Sequence, residues 1–134
     1  MTDFIAVDPG RQKCGLALME RSGAVRERAA VSAENAGDKI SEWMERCAGV
    51  DTIAIGNGVG HKEIMNALAE RFPLVKLEIV DEAGTTLEAR RLFLRHNPGK
   101  RFWMVFPFSL FAPGTLLDKY AAEAIGLRRL RAKR

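Results

Sequence analysis

The apolar and polar positions of the chain fall into two alternating periods, and the changes between them divide it into elements. Phe4-Ile5-Ala6-Val7 is a short apolar run stopped by Pro9-Gly10, the pattern of a buried strand whose last residue is Asp8. Residues 14–20 and 24–32 read as two further strands, joined by a tight hairpin turn at Ser22-Gly23. The period then lengthens: Ile40, Trp43, Met44 and Cys47 recur at helical spacing, and Gly49 closes that helix. Residues 51–56 predict a fourth strand, closed by Gly56, Gly58 and Gly60. Ile64, Leu68 and Phe72 mark a second helix ended by Pro73, and Val75, Leu77 and Ile79 alternate with Lys76 and Glu78 in a fifth strand. Thr85-Thr86-Leu87-Glu88 has the form of a capping box, opening a helix that stops before Asn97-Pro98-Gly99. After Pro113-Gly114 comes a last helix, expected to begin at Asp118 with Ala121, Ala124, Ile125 and Leu130 inward.

Strands joined by hairpins first and by helical crossovers afterwards imply an α/β fold, a mixed five-stranded sheet with helices on both faces. The chain has 134 residues and no repeat, linker or low-complexity segment, so one domain over 1–134 is expected. The hydrophobic share is 47% and the charged share 28%, ordinary values that exclude wholesale disorder. No apolar run approaches the ~20 residues of a membrane span, so no membrane partner is expected. Asp3 comes before any basic or apolar leader, which gives no support to a secretory signal. Cys14 and Cys47 have no metal-ligand spacing and read as reduced thiols of a cytoplasmic protein.

The formal net charge of +4 changes the picture through its distribution. Arg128, Arg129, Arg131, Lys133 and Arg134 crowd the C-terminus, and Arg90, Arg91, Arg95, Lys100 and Arg101 crowd an earlier stretch. Such clusters suit phosphate binding, and a solvated helix face with a frayed tail accounts for them equally well.

Acidic residues meet the element boundaries at three places: Asp8, the Asp81-Glu82 pair, and Asp118. In an open α/β sheet ligands gather at the carboxyl ends of the strands, and strands one, four and five as parallel neighbours would bring Asp8 and Glu82 to one edge. Carboxylates gathered there need cations between them, and hard ions such as Mg²⁺ or Mn²⁺ favour oxygen ligands. Two such ions about 4 Å apart activate a water and stabilise the leaving oxygen of a phosphodiester. The bland alternative has Asp8 as a turn residue and Asp118 as a plain N-cap.

At these residues the sequence resembles the YqgF/RuvX family, relatives of the RuvC Holliday junction resolvases. Ile5-Ala6-Val7-Asp8-Pro9-Gly10-Arg11-Gln12-Lys13-Cys14-Gly15 is similar to that family's first motif, Val80-Asp81-Glu82-Ala83-Gly84-Thr85-Thr86 to its second, and Asp118-Lys119-Tyr120-Ala121-Ala122 to its third. The resemblance implies a ribonuclease H-like fold and divalent-metal-dependent endonuclease activity on branched DNA or on precursor small-subunit ribosomal RNA, hence roles in recombination, repair or ribosome biogenesis. It also implies that Asp8, Glu82 and Asp118 are the catalytic and metal-holding residues. Asp81 is the lesser member of its pair, because adjacent strand residues face opposite ways; Glu123 is an auxiliary candidate only. The family's arginine after the Asp-Glu pair is replaced here by Ala83-Gly84, and Ile55-Gly56-Asn57-Gly58 departs from the usual Gly-x-Pro. Both departures resemble the YqgF-like domain of the Tex proteins, so a nucleic-acid-binding module without catalysis is the rival expectation. A third reading, the sugar kinase and actin class, also has an Asp-x-Gly strand but needs two such domains.

The remaining candidates concern the nucleic acid. Arg11 and Lys13, beside Asp8, are expected to steady a phosphate strand. Asn57 and Lys62 flank a glycine-rich turn into a helix that could lay N–H groups against phosphate; it lacks the Walker A pattern. His61 is either a proton donor or an ordinary surface histidine. Thr85 and Thr86 cap a helix and contact phosphate second, with Arg90 beyond them. The aromatic residues between Phe102 and Phe111 stack on bases, fill a dimer contact or cover the sheet edge, and Pro107 argues against a central strand there. A resolvase that cuts two strands symmetrically needs two active sites, so a homodimer is expected under that reading.

Overall fold

The computed structural model describes residues 3–81 and 114–132, with the side chains of 3–81 and 120–131. Glu82, Thr85, Thr86, Arg90 and the aromatic segment 102–111 lie outside these residues. The elements run β1 (Phe4–Asp8), β2 (Lys13–Met19), β3 (Val25–Ser32), a 3₁₀ turn at Ala33–Asn35, α1 (Ala36–Arg46), β4 (Thr52–Gly56), α2 (His61–Arg71), β5 (Lys76–Val80) and, after the intervening segment, α3 (Gly114–Ala132).

The five strands form one sheet in the order β3-β2-β1-β4-β5. β2 is antiparallel to β1 and β3, while β4 is parallel to β1 and β5 to β4. The β2–β3 hairpin closes through Gly23 N–H donating to the Glu20 carbonyl and Glu20 N–H donating to the Ala24 carbonyl, both at 2.9 Å. Gly23 takes φ of +99°, the left-handed position that this three-residue loop reserves for glycine. The mixed sheet expected from the hairpin-then-crossover order is therefore present.

Period-two alternation sends each strand's side chains to two separate cores. On one face Ile5, Val7, Leu16, Leu18, Ile53 and Ile55 meet Ala36, Ile40 and Trp43 of α1 and Ile64 and Leu68 of α2. Burying each of the larger side chains contributes roughly 1.5–3 kcal/mol. The Trp43 indole N–H finds no acceptor among the described residues, a cost of about 1–3 kcal/mol inside that core. On the other face Phe4, Ala6, Ala17, Met19, Ala54 and Val80 meet Ala122 and Ile125 of α3. Helices thus cover both faces.

α3 departs from its sequence reading in two ways. It begins at Gly114, so Asp118 sits one turn inside the helix and is not its first residue. Its buried stripe is Ala122, Ala124, Ile125 and Gly126, whereas Ala121 and Leu130 are only half-buried. The apolar pattern gave no direct sign of the close approach that shifts this stripe. A Cβ on Gly126 would fall 2.2 Å from Met19 Sδ and 3.3 Å from Ala6 Cβ. Ion pairs then fasten the helix across the sheet: Arg129 Nε donates to Glu78 of β5 at 2.6 Å, and Arg28 of β3 holds Glu123. At the opposite edge from Asp8, Asp3 pairs with Arg26 and holds its guanidinium pKa above the ordinary value.

Candidate functional site

Three strands deliver their carboxyl ends to one edge of the sheet. β1 ends at Asp8, β4 at Gly56 and β5 at Val80, and the two crossover connections make this the natural ligand edge of the fold. Asp8 shares the face of Phe4 and Ala6, the face that α3 covers, and its side chain is half-buried. Its partner across the β1–β2 ladder is Gly15. On the other side the ladder ends with Val7 opposite Ile55, so the next β4 residue is Gly56. Glycine on both flanking strands leaves the Asp8 carboxylate with no neighbouring side chain from either. A carboxylate at this position is a hard oxygen donor of the kind that a divalent cation favours.

Two loops build the rim. The first is Pro9–Gln12, where Gly10 packs so tightly that a Cβ would lie 2.3 Å from the Lys13 carbonyl oxygen. Ala33 N–H donates to the Gln12 carbonyl at 2.8 Å and ties this loop to the end of β3. The second is Asn57–Gly60. Asn57 N–H donates to the Val80 carbonyl at 3.0 Å, which fixes the loop to the end of β5. Gly60 precedes α2 with φ of +88°, and a Cβ there would lie 3.4 Å from the backbone of Gly10. The two loops approach each other at their glycines so closely that a single added Cβ on Gly60 would touch Gly10; the sequence showed these glycines only as turn residues.

Asn57 to Glu63 line an open bowl of about 320 Å³ at the start of α2. The His61 ring Nδ1 lies 2.9 Å from the Gly58 carbonyl, so this ring helps shape the turn. Arg11, Lys13 and Lys62 are exposed on the two loops and the first turn of α2, and no carboxylate among the described residues pairs with them. Most other well-placed cations are already paired: Arg26, Arg28, Lys39, Arg46, Arg71, Lys76 and Arg129 all bridge to carboxylates. Three cations without a carboxylate partner among the described residues therefore lie on the Asp8 edge.

The structure brings Asp8, Arg11, Lys13, Asn57 and Lys62 to this edge. The Asp118 backbone belongs to α3, whose later residues mark its direction. Arg129 lies over Phe4 and Gly126 against Ala6 and Met19, near the far edge, while Glu123 reaches Arg28 in mid-sheet. One further turn N-terminal carries the helix toward the Asp8 edge. The Asp118 side chain lies outside the described residues, and among those described no three His, Cys, Asp or Glu side chains are grouped to hold a metal ion. Asp81 is exposed and follows Val80, which faces α3; alternation points Asp81 to the opposite face from Asp8. Glu123 is not an auxiliary site carboxylate in this arrangement. It is 6% exposed and receives both Nε and Nη2 of Arg28, at 2.8 and 2.6 Å, on a single oxygen.

No protein-family model and no curated protein matches this sequence. Solved structures do. The Fowlpox virus resolvase, determined with Holliday junction DNA, aligns over 98% of this chain and 99% of its own, at 12% identity and a TM-score of 0.62. RuvC from T. thermophilus, determined with a Holliday junction substrate, aligns over 98% and 96%, at 14% identity and a TM-score of 0.58. A polyphosphate/ATP-glucomannokinase from Arthrobacter overlaps 67% of this chain and 49% of its own at a TM-score of 0.47, so the chain spans about half of that protein. Near-complete mutual coverage shows that this chain, a mixed five-stranded α/β sheet with helices, shares its fold with these two resolvases.

Proposed function

We propose that this chain is a divalent-metal-dependent endonuclease that cuts branched nucleic acid, with Holliday junction DNA as its first candidate substrate. The observation that carries the reading is Asp8: a half-buried carboxylate at the end of β1, between Gly15 and Gly56, in a fold shared end to end with two junction resolvases. Asp8, Glu82 and Asp118 would hold Mg²⁺ or Mn²⁺. Glu82 follows Val80 by two residues, the spacing that puts residues of a strand on one face, and Asp118 belongs to α3, which would carry it toward the same edge. Bound divalent cations would supply an activated water and charge stabilisation at the leaving oxygen. The chain's own part is to exclude competing side chains around the scissile phosphate and to fix the strand. Arg11, Lys13 and Lys62 neutralise phosphates on the rim, and the backbone N–H groups at the start of α2 offer a further anion contact.

The resemblance of the three motifs to YqgF/RuvX proteins adds precursor small-subunit ribosomal RNA as a second substrate, and cutting two strands of a junction calls for a homodimer. Incubating the protein with a four-way junction, and separately with a ribosomal RNA precursor, in Mn²⁺ tests the proposal. Cleavage of the junction by wild type and none by Asp8→Asn is the expected result. Tight binding to either nucleic acid with no cutting by wild type would refute the enzyme and leave the binding module. Cutting that persists in Asp8→Asn would refute the site.

A further inference from the structure

The middle of the sheet face that α3 covers is built from alanines, with Phe4 and Met19 toward the far edge and Val80 on β5. Ala6, Ala17 and Ala54 meet Ala122 and Gly126, so few long side chains interlock there. Ridges packed into grooves are what normally fix a helix against rotation and sliding, and small side chains make shallow ridges. The directional contacts on this interface are polar. Nearest the Asp8 edge, Arg28 of β3 grips α3 twice: its guanidinium donates two hydrogen bonds to Glu123, and its carbon lies 5.1 Å from the centre of the Tyr120 ring. Tyr120 and Glu123 are three residues apart on one helix face, and Tyr120 is only two residues beyond Asp118.

We infer that Arg28, through Glu123 and Tyr120, is a positioning residue that sets the angle and depth at which α3 approaches the Asp8 edge of the sheet, where the proposed metal site lies. This inference rests on the proposed carboxylate site. Its geometry gives the scale. Glu123 lies about 7.5 Å along the helix axis from Asp118. On any α-helix, a side-chain atom about 6 Å from the axis moves by about 1 Å when the helix turns by about 10°. A displacement of that size at a reacting centre costs about 10²-fold in rate. The pair is also well suited to specifying one orientation: Glu123 has 7% of its side chain exposed, and Arg28 has 24%. A charge so enclosed tolerates little movement away from its partner.

Removing Arg28 alone would strand the Glu123 carboxylate and risk unfolding, so the test replaces both, Arg28→Met with Glu123→Leu, and leaves no buried charge unpaired. The readouts are Mn²⁺ binding to the protein without nucleic acid, junction cleavage across a Mn²⁺ series, and the melting temperature. The expected result is a folded double variant with Mn²⁺ affinity about tenfold weaker and cleavage at saturating Mn²⁺ reduced about 10- to 100-fold. Arg71→Met, which opens the Arg71–Asp38 bridge between α2 and α1, serves as the control and should leave both unchanged. Wild-type Mn²⁺ affinity and cleavage in the folded double variant would overturn the inference alone, as would equal losses in the control. Absence of Mn²⁺ binding by wild type would overturn the carboxylate site, and the inference with it.

Discussion

Replacing Gly10 by alanine probes the rim of the site at its tightest point. The φ of Gly10 is not positive, so glycine is needed there for space and not for backbone freedom. A Cβ would stand 2.3 Å from the Lys13 carbonyl oxygen, and reaching even 3.0 Å requires the turn to open by about 0.7 Å. The obstacle is backbone at the start of β2, which no rotamer change relieves. Overpacking of this kind costs typically about 1–3 kcal/mol. The lower entropy of the unfolded alanine chain offsets about 0.4–1 kcal/mol. The expected net loss of about 1–2 kcal/mol lowers the melting temperature by roughly 3–8 °C in a chain of this size. The opening also shifts Arg11 and Lys13 relative to Asp8, so junction affinity measured at constant salt falls together with stability. Urea and thermal denaturation read the first effect, and fluorescence anisotropy with a labelled junction reads the second. A melting temperature within about 1 °C of wild type with unchanged affinity would show that the turn is not close-packed, and would refute this account of the rim.

The same substitution has other expected outcomes elsewhere. Gly37→Ala places a Cβ 2.8 Å from Nη1 of Arg71, the far end of an exposed flexible side chain, and gains up to about 1 kcal/mol of helix propensity, so its denaturation midpoint stays level or rises. Gly60→Ala meets only ordinary contacts but is held at φ of +88°; a loss of about 1–2 kcal/mol is expected, with Gly60→Asn less damaged in the same urea titration because asparagine tolerates that region. Lys13→Ala, if Lys13 neutralises a phosphate, lowers the slope of log affinity against log salt by about one for junction DNA, and an unchanged slope would remove it from the interface.

The strands and the two helices on one face were legible because their apolar residues repeat cleanly. Ile40 and Trp43, or Ile5 and Val7, point one way and are buried accordingly. Glu78 and Arg28 were not legible as anything but the polar side of a strand. Their partners, Arg129 and Glu123, lie 51 and 95 residues away, and local periodicity carries no record of that pairing. α3 was misjudged at its start for a related reason. Asp118 looks like a cap, yet the helix begins four residues earlier, after the Pro113 stop. The site divides in the same way. Asp8 was visible from a strand that ends in a turn, and Arg11, Lys13, Asn57 and Lys62 from the turns themselves. The close approach of Gly10 and Gly60, which joins those turns into one rim, arises only when β1 and β4 pair in parallel.

The central claim is that Asp8 anchors divalent cations at the end of β1. Anomalous diffraction from a crystal soaked in Mn²⁺ tests it most directly. The account predicts Mn²⁺ density in contact with the Asp8 carboxylate, shared with Glu82 and Asp118, and lost in Asp8→Asn. Manganese bound only elsewhere on the molecule, or at this edge but unaffected by Asp8→Asn, would contradict it.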